Sequence, residues 1–337
     1  MLELSFLNEL LQVSVFSNYY SIHTELFDNY GKCKYEFRKQ DGVICIFKET
    51  GYFFKRMFFF IDKVKLNEEV GFFKKEDLLV SEFVYSESQK DQENLISNWL
   101  IRNNNFHYKT FVRMFKTVTE DYSDVDFTKV QFPSLEDIHE IQKKIENNFD
   151  ILSERIPTIE ELVEIKNNTY IIKEGDEIAS ILISEIKGKT KELRYWLVLP
   201  EYRKKGYGSL LMKFFLNSNK ETVRFTLWVD ILNLNAIKNY EINGFKKDRL
   251  INKIFINNKI MKDKIKEILK DTRPEFEFEE DVNFIDAGYL DSFDLITIVS
   301  DIESAFDTKI NGALIVPESF QSVDSIMNLV QVSKNAS

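Results

Sequence analysis

Two stretches of the chain place reactive residue types in an order that could do chemistry. The first is Gly288-Tyr289-Leu290-Asp291-Ser292-Phe293-Asp294-Leu295. It sets one serine ahead of a helix whose apolar residues Leu295, Ile298, Val299, Ile302 and Phe306 recur at three- and four-residue steps. Asp291 can cap the first turn and oppose the positive end of the helix dipole, which leaves the Ser292 hydroxyl exposed at the tip. Asp294, Asp301, Glu303 and Asp307 are expected mainly on the open side of that helix. The second stretch is Glu201-Tyr202-Arg203-Lys204-Lys205-Gly206-Tyr207-Gly208, between a fully buried strand expected at 193–199, ended by Pro200, and a helix expected at 209–217. Glycines at 206 and 208 let backbone N–H groups approach an anion, the helix start adds a favourable dipole, and Arg203, Lys204 and Lys205 add positive charge.

The elements around Ser292 carry a family pattern. A leading helix around 265–269, an acidic loop over 275–287, the Asp291-Ser292 motif with its helix, the stretch 306–310 and a last helix near 322–330 together resemble an acyl or peptidyl carrier protein. The resemblance implies an all-α, four-helix carrier domain over 261–333, with 4'-phosphopantetheine carried covalently on Ser292 and a phosphopantetheinyl transferase as a partner. Charge supports a separate module: residues 261–337 hold 7 Lys/Arg against 16 Asp/Glu, so nearly all of the chain's net −10 sits there. An acidic helix beside the prosthetic group suits docking on basic patches of partner enzymes. The sign of the charge disfavours nucleic acid.

Upstream, the glycine turn is followed by a strand at 224–229 and then by Asn233, Ala236, Tyr240, Gly244 and Phe245 at the spacing N-x-x-A-x-x-x-Y-x-x-x-G-F. With the strand, the proline and the RxxGxG turn before it, this resembles the GNAT acyltransferase superfamily over about 135–258. Opening helices are expected at 135–147 and 158–165, and a strand pair at 170–186. The expected fold is α/β, a central mixed sheet flanked by helices. The resemblance implies that strand 193–199 splays from strand 224–229 and admits a pantetheine arm. Backbone amides around Lys204 to Ser209, Tyr207 among them, would hold the pyrophosphate of coenzyme A or an acyl-CoA, with Asn233 beside them. Backbone groups near Leu197 and Leu199 would hydrogen-bond the pantetheine amides. Tyr240 holds the family position of a general acid toward the departing thiolate. Glu185 and Glu192, nearest the splayed strand, are the candidate bases, and exposed strand-end glutamates are the plainer reading of both.

The first 132 residues are the least legible. A hairpin is expected over 41–61, with a turn at Thr50-Gly51, followed by a strand at 78–85, a helix near 92–101 and a strand at 110–115. Asn105-Phe106 faintly matches Gly244-Phe245, which suggests a degenerate GNAT-like lobe over 1–132 without an RxxGxG turn, ahead of a GNAT domain at 133–258. An unrelated α+β domain is the alternative. The tether to the carrier, at Asn257-Asn258 and a few lysines, is expected to be short.

Composition limits the rest. With 44% hydrophobic residues there is ample material for packed cores, and no run of about 18 apolar residues could span a bilayer. The N-terminus lacks the basic start of a secretory signal, so a cytoplasmic location is expected. Cys33 and Cys45 form no CxxC pair, and His23, His107 and His139 are scattered, so neither a metal centre nor a histidine triad is expected. Three readings follow. The chain could transfer an acyl group from an acyl-CoA or acyl-carrier donor to a small-molecule amine. It could load the thiol on its own Ser292. It could also be a silent scaffold that presents the carrier.

Overall fold

The computed structural model describes residues 15–18, 35–71, 73, 78–117, 122–218, 221–279 and 282–335. Cys33, His23 and Glu280-Asp281 of the acidic loop lie outside them. The chain forms two compact units: Met1–Lys109 with Asn252–Ser337, and Thr110–Ile251. The carrier segment thus belongs to the same unit as the N-terminal lobe.

In the first unit β1 (Val15–Ser17), β2 (Tyr35–Gln40), β3 (Val43–Glu49) and β4 (Lys55–Asp62) pair antiparallel, β1 and β3 both against β4. The Asp41-Gly42 turn that joins β2 to β3 needs a left-handed residue, and Gly42 supplies it at φ 70°. β3 reads Val-Ile-Cys-Ile-Phe and is buried over that whole run, as befits a strand covered on both faces. β5 (Leu79–Ser86) lies parallel to β4 and pairs only at Lys55↔Leu79 and Arg56↔Val80. α1 (Lys90–Arg102) follows, then β6 (Asn105–Thr117). Phe59 and Trp99, both fully buried, meet at 5.5 Å in the core. The expected hairpin over 41–61 is therefore the second half of a three-stranded meander, and β6 starts five residues before the strand expected at 110.

The carrier segment holds α6 (Asn258–Thr272), α7 (Ser292–Phe306) and α8 (Val323–Asn335). A short 3-10 turn, Pro317–Phe320, fills the remaining helical pass. Leu295, Ile298, Ile302 and Phe306 are buried, as their spacing predicts. Asp294 departs from expectation, being only 9% exposed. Its carboxylate accepts from the Asp291 amide and from Arg273, while Asp291 accepts from the Phe293 and Asp294 amides in a reciprocal capping box.

In the second unit the strand order is β6–β10–β9–β8–β7. It contains β7 (Thr169–Glu174), β8 (Glu177–Lys187), β9 (Thr190–Val198), β10 (Arg224–Asp230) and the start of β11 (Lys246–Asn257). α2 (Asp137–Asn148) and α3 (Ile159–Glu164) precede the sheet, α3 being opened by a Thr158/Glu161 capping box. α4 (Tyr207–Asn217) joins β9 to β10, and α5 (Leu234–Ile242) follows β10. Leu211, Met212 and Phe215 of α4 pack with Leu182, Leu193, Phe225 and Leu227 of the sheet. β9 is not the fully buried strand expected. Its exposure alternates, with Leu193, Tyr195 and Leu197 buried and Glu192, Arg194, Trp196 and Val198 partly exposed, because it borders an opening on one face.

Candidate functional site

The opening is made by the sheet itself. β9 and β10 run parallel and in register from Thr190↔Arg224 to Leu193↔Leu227, where the ladder stops. Tyr195 to Val198 stay paired to β8, with Arg194 as the extra residue of a bulge opposite Ile183 and Ser184. The two strands part as expected. The resulting cleft has a volume of about 700 Å³, and Trp196, Val198, Arg203, Gly208, Asn233 and Tyr240 are among its lining residues.

Register decides which backbone groups face the cleft, and it shifts the expectation by one residue. The Leu199 amide donates to Ala179 O at 3.1 Å, toward β8. Direction alternates along an antiparallel strand, so the groups of Leu197 also point to β8, and those of Trp196 and Val198 point to the parting. Ser180 Oγ also donates to Leu197 O at 2.8 Å. The Val198 carbonyl, by contrast, is approached by Arg203 Nε at 3.5 Å. Leu197 and Leu199 are thus satisfied inside the sheet, and the backbone groups that face the parting are those of Trp196 and Val198, the Val198 carbonyl already accepting from Arg203.

The glycine turn fits an anion. Gly206 caps α4 at φ 82° and offers no side chain to the first-turn amides of Tyr207, Gly208 and Ser209, which stay open to a ligand. Gly208 is required for a different reason: a Cβ there would stand 3.0 Å from Val198 Cγ2 and 3.3 Å from Trp196 Cζ2. Lys204 adopts the left-handed region at φ 65°, and Arg203 and Lys204 line the cleft. Lys205 does not, its ammonium lying 4.0 Å from Glu174 and over the ring of Tyr202. Asn233 is at the rim, where its side-chain oxygen caps α5 by accepting from the Ala236 amide at 3.0 Å.

Tyr240 is half-buried between Trp196, at 5.5 Å, and Phe245, at 5.9 Å, and its hydroxyl has no hydrogen-bond partner among the described residues. Burial, and then the charge of Glu154, push its pKa well above the usual tyrosine value, so the phenol keeps its proton. The buried Trp196 indole N–H also lacks a partner. Sequence reading missed both Trp196 and Glu154. The strand alternation could have found the first, whereas Glu154 sits in the loop between α2 and α3 with no motif to mark it.

Glu185 and Glu192 face each other across β8 and β9. Arg194 binds Glu185, and Lys187 lies 3.5 Å from Glu185 and 3.8 Å from Glu192. Neither carboxylate lines the cleft. Glu185 instead borders a second cavity of about 200 Å³ with Arg155, Glu161, Glu164, Arg194 and Tyr195. Tyr195 and Trp196 are consecutive on β9, so their side chains fall on opposite faces of the sheet, Tyr195 lining this cavity and Trp196 the cleft. Arg155 pairs with Glu161 at 3.0 Å, while Glu164 has no ion pair among the described residues.

Ser292 begins α7 and is exposed, next to Phe293 at 83% and Ile296 at 69% exposure. Asp291 and Asp294 are both held by Arg273, at 2.8 Å each. The accessible surface beside the serine is therefore apolar, and the nearest acidic groups are already paired. Among the described residues no group of His, Cys, Asp and Glu could hold a metal, and no helix is long and apolar enough to cross a membrane. Cys45 is fully buried.

A parted pair of parallel strands, a glycine turn opening a helix, and a capped serine on a helical module define an α/β fold joined to a helical segment of carrier type. Family comparison gives both parts a name. Residues 135–245 match the acetyltransferase (GNAT) family and residues 260–330 match the phosphopantetheine attachment site, so the chain carries one domain of each kind. No curated protein matches the chain. Among solved structures it is similar to a GCN5-related N-acetyltransferase from Sphaerobacter thermophilus, at 11% identity and TM-score 0.45 over 64% of this chain and 76% of that one. It is also similar to a GNAT-family acetyltransferase from Colwellia psychrerythraea, at 8% identity and TM-score 0.44 over 72% of this chain and 99% of that one.

Proposed function

We propose that the second unit transfers an acyl group from a pantetheine thioester, on coenzyme A or on a carrier, to a small amine. The observation that carries this reading is the convergence of the strand parting, the Gly206–Gly208 turn and the unpartnered Tyr240 hydroxyl on one cleft. The cleft's donors suit the ligand: open amides and Arg203 and Lys204 for the pyrophosphate, Trp196 and Val198 backbone groups for the pantetheine amides, and the orphaned indole N–H of Trp196 for an acceptor atom. Ser292, exposed at a helix N-terminus, fits the phosphopantetheine arm, which would supply a thiol that the chain itself does not encode.

The amine is recruited at the cavity on the other face of β9, where the carboxylate of Glu164, with no ion pair among the described residues, favours a cationic substrate. The ammonium first gives one proton to water, the neutral nitrogen then attacks the thioester carbon, the C–S bond breaks, and the thiolate takes the proton held on Tyr240. The proton lost by the amine goes to Glu154, directly or through water, and from there returns to Tyr240. Glu154 is assigned this role rather than Glu185 or Glu192 because its charge acts on Tyr240 and theirs does not.

The test uses the full chain with Ser292 phosphopantetheinylated. Acyl-CoA donors are offered with and without a panel of primary amines, thiol release is followed, and the intact protein mass is read. Amine-dependent thiol release with unchanged protein mass supports the proposal. Amine-independent acylation of the arm on Ser292 would replace it with self-loading, and no release under any condition would leave a scaffold.

A further inference from the structure

The first unit joins its N-terminal lobe to the carrier without a linker. β11 ends at Asn257 and α6 begins at Asn258, and the lysines expected in a tether, Lys259 and Lys262, are already helical. The Asn257 side-chain oxygen accepts from the Leu79 amide of β5 at 3.2 Å and from the Ile260 amide of α6 at 3.5 Å, so one side chain serves the lobe's strand and the carrier's helix. The first amide of α6, at Asn258, donates to Asn104 O at 2.9 Å, at the turn between α1 and β6.

A second set of contacts involves carrier elements remote in sequence from that junction. Phe306, at the far end of α7, meets Phe106 edge-on at 6.3 Å and Tyr108 at 6.4 Å, both on β6. The Tyr108 hydroxyl donates to Ala305 O at 3.3 Å. Lys334 of α8 hydrogen-bonds the Tyr108 carbonyl and stands 5.8 Å from the centres of both rings. Lys264 of α6 is 5.8 Å from the Tyr108 ring as well. All three carrier helices therefore converge on one tyrosine. Phe106, Tyr108 and Phe306 are 5%, 1% and 0% exposed, so this contact is a closed apolar core with a cationic rim.

We propose that the N-terminal lobe is a carrier-holding domain, whose Phe106–Tyr108 surface grips the carrier by Phe306 and Lys334 so that the carrier does not swing. The orientation of α7 gives this a purpose. The grip is at its C-terminal end and Ser292 is at its N-terminal end, about 21 Å away along a 15-residue helix at roughly 1.5 Å per residue. Ser292, Phe293 and Ile296 are exposed at that free end. Enzymes that modify or unload the arm come to a fixed serine, and only the arm moves. The proposal rests on the carrier domain alone and stands or falls independently of the acyl-transfer reaction.

Backbone ¹⁵N relaxation of the full chain tests it. In the wild type, amides of α7 and α8 are expected to show the same R2/R1 ratio as those of β3 and β4, whereas a carrier ratio half that value or lower overturns the proposal. Phe106→Ser with Tyr108→Ser should lower the carrier's ratio at least twofold with the α7 chemical shifts preserved, and an unchanged ratio overturns the assigned grip. Should that variant lose the β3 and β4 resonances, six Gly/Ser residues inserted between Asn257 and Asn258 give the same decision with every side chain kept. A ratio that stays at the lobe's value supports a grip by contact. Independent tumbling would show that the carrier was held by chain continuity alone and would overturn it.

Discussion

The strands β2–β6 with α1 and the strands β7–β11 with α5 follow the same succession. In each, a three-stranded antiparallel meander ends in a strand that pairs only briefly and in parallel with the next, at two positions for β4 and β5 and at four for β9 and β10. A helix, a left-handed residue and a long strand then follow. Chemistry separates the two. Between β9 and β10 lies the glycine turn with the 11-residue helix α4, whereas the described residues between β4 and β5 hold only the 3-10 turn Lys63–Lys65. Counting back from the left-handed residue, Tyr240 precedes Gly244 by four positions and Leu100 precedes Asn104 by four. Where one lobe offers a phenol with no hydrogen-bond partner among the described residues, the other has a fully buried leucine. One succession of strands thus serves as a cleft in one lobe and as a packed support in the other.

The largest expected effect tests that division directly. Tyr240→Phe should lower kcat about 100-fold or more with the acyl donor's KM unchanged, as loss of a general acid does. Because burial raises the Tyr240 pKa above its ordinary value of 10.0, the wild-type rate should not fall on this group's account until the pH exceeds about 10. Leu100→Ala should leave kcat untouched and destabilise the fold by about 2–5 kcal/mol in a denaturant titration. A fall in kcat with Leu100→Ala would show that the first lobe takes part in the reaction. Next in size is Gly208→Ala, whose Cβ must push Val198 or Trp196 at the cleft wall. The expected loss is about 10- to 100-fold in kcat/KM for acyl-CoA, by misplacing the thioester.

The two lobes also bury charge differently. Glu93 of α1 is 2% exposed but bound by Lys253 and by Ser97 Oγ, at 2.6 Å each. Lys191 of β9 is fully buried with the hydroxyls of Tyr170 and Ser218 as its hydrogen-bond partners and no carboxylate bound to it among the described residues, and burial lowers its pKa from 10.5 to about 8. Below pH 8 it is charged in both states, and the full penalty of burial is present. Between about pH 8 and 10.5 the unfolded chain holds more protons, so folding stability rises with pH, by about 1–3 kcal/mol. Urea titrations at pH 7 and pH 10 should show that rise, and Lys191→Met should remove it.

What the sequence disclosed depended on how local the signal was. The capped Ser292, the glycine turn and the spacing from Asn233 to Phe245 are determined by neighbouring residues and were legible. The direction of the Leu197 and Leu199 amides was not, because it is set by pairing with β8 and by the bulge at Arg194. Asp294 looked like a surface charge because its partner, Arg273, lies 21 positions away. The missing tether was illegible for a related reason: Asn257 reads as a loop residue until it is seen capping α6. The likeness between the lobes was visible only as Asn105-Phe106, one position off. The residue structurally matching Gly244 is Asn104, recognisable by its backbone rather than its side chain.

That last pair supplies the finest distinction. Gly244 has φ 80°, and a Cβ there would approach Lys116 Nζ at 3.1 Å, while that ammonium donates to Asn243 O at 2.8 Å. Asn104, at φ 59°, holds the same position after α1, since asparagine tolerates the left-handed region better than other residues with a Cβ. Gly244→Ala should therefore destabilise the chain by about 1–2 kcal/mol, the cost of a left-handed alanine, with the displaced lysine adding to it. Asn104→Gly relieves the backbone but loosens the unfolded chain, and the two nearly cancel to within about 0.5 kcal/mol. Thermal melts of the two variants measure the difference. If Asn104→Gly costs as much as Gly244→Ala, the Asn104 side chain has a structural role of its own, and the correspondence between the two turns is one of backbone shape alone.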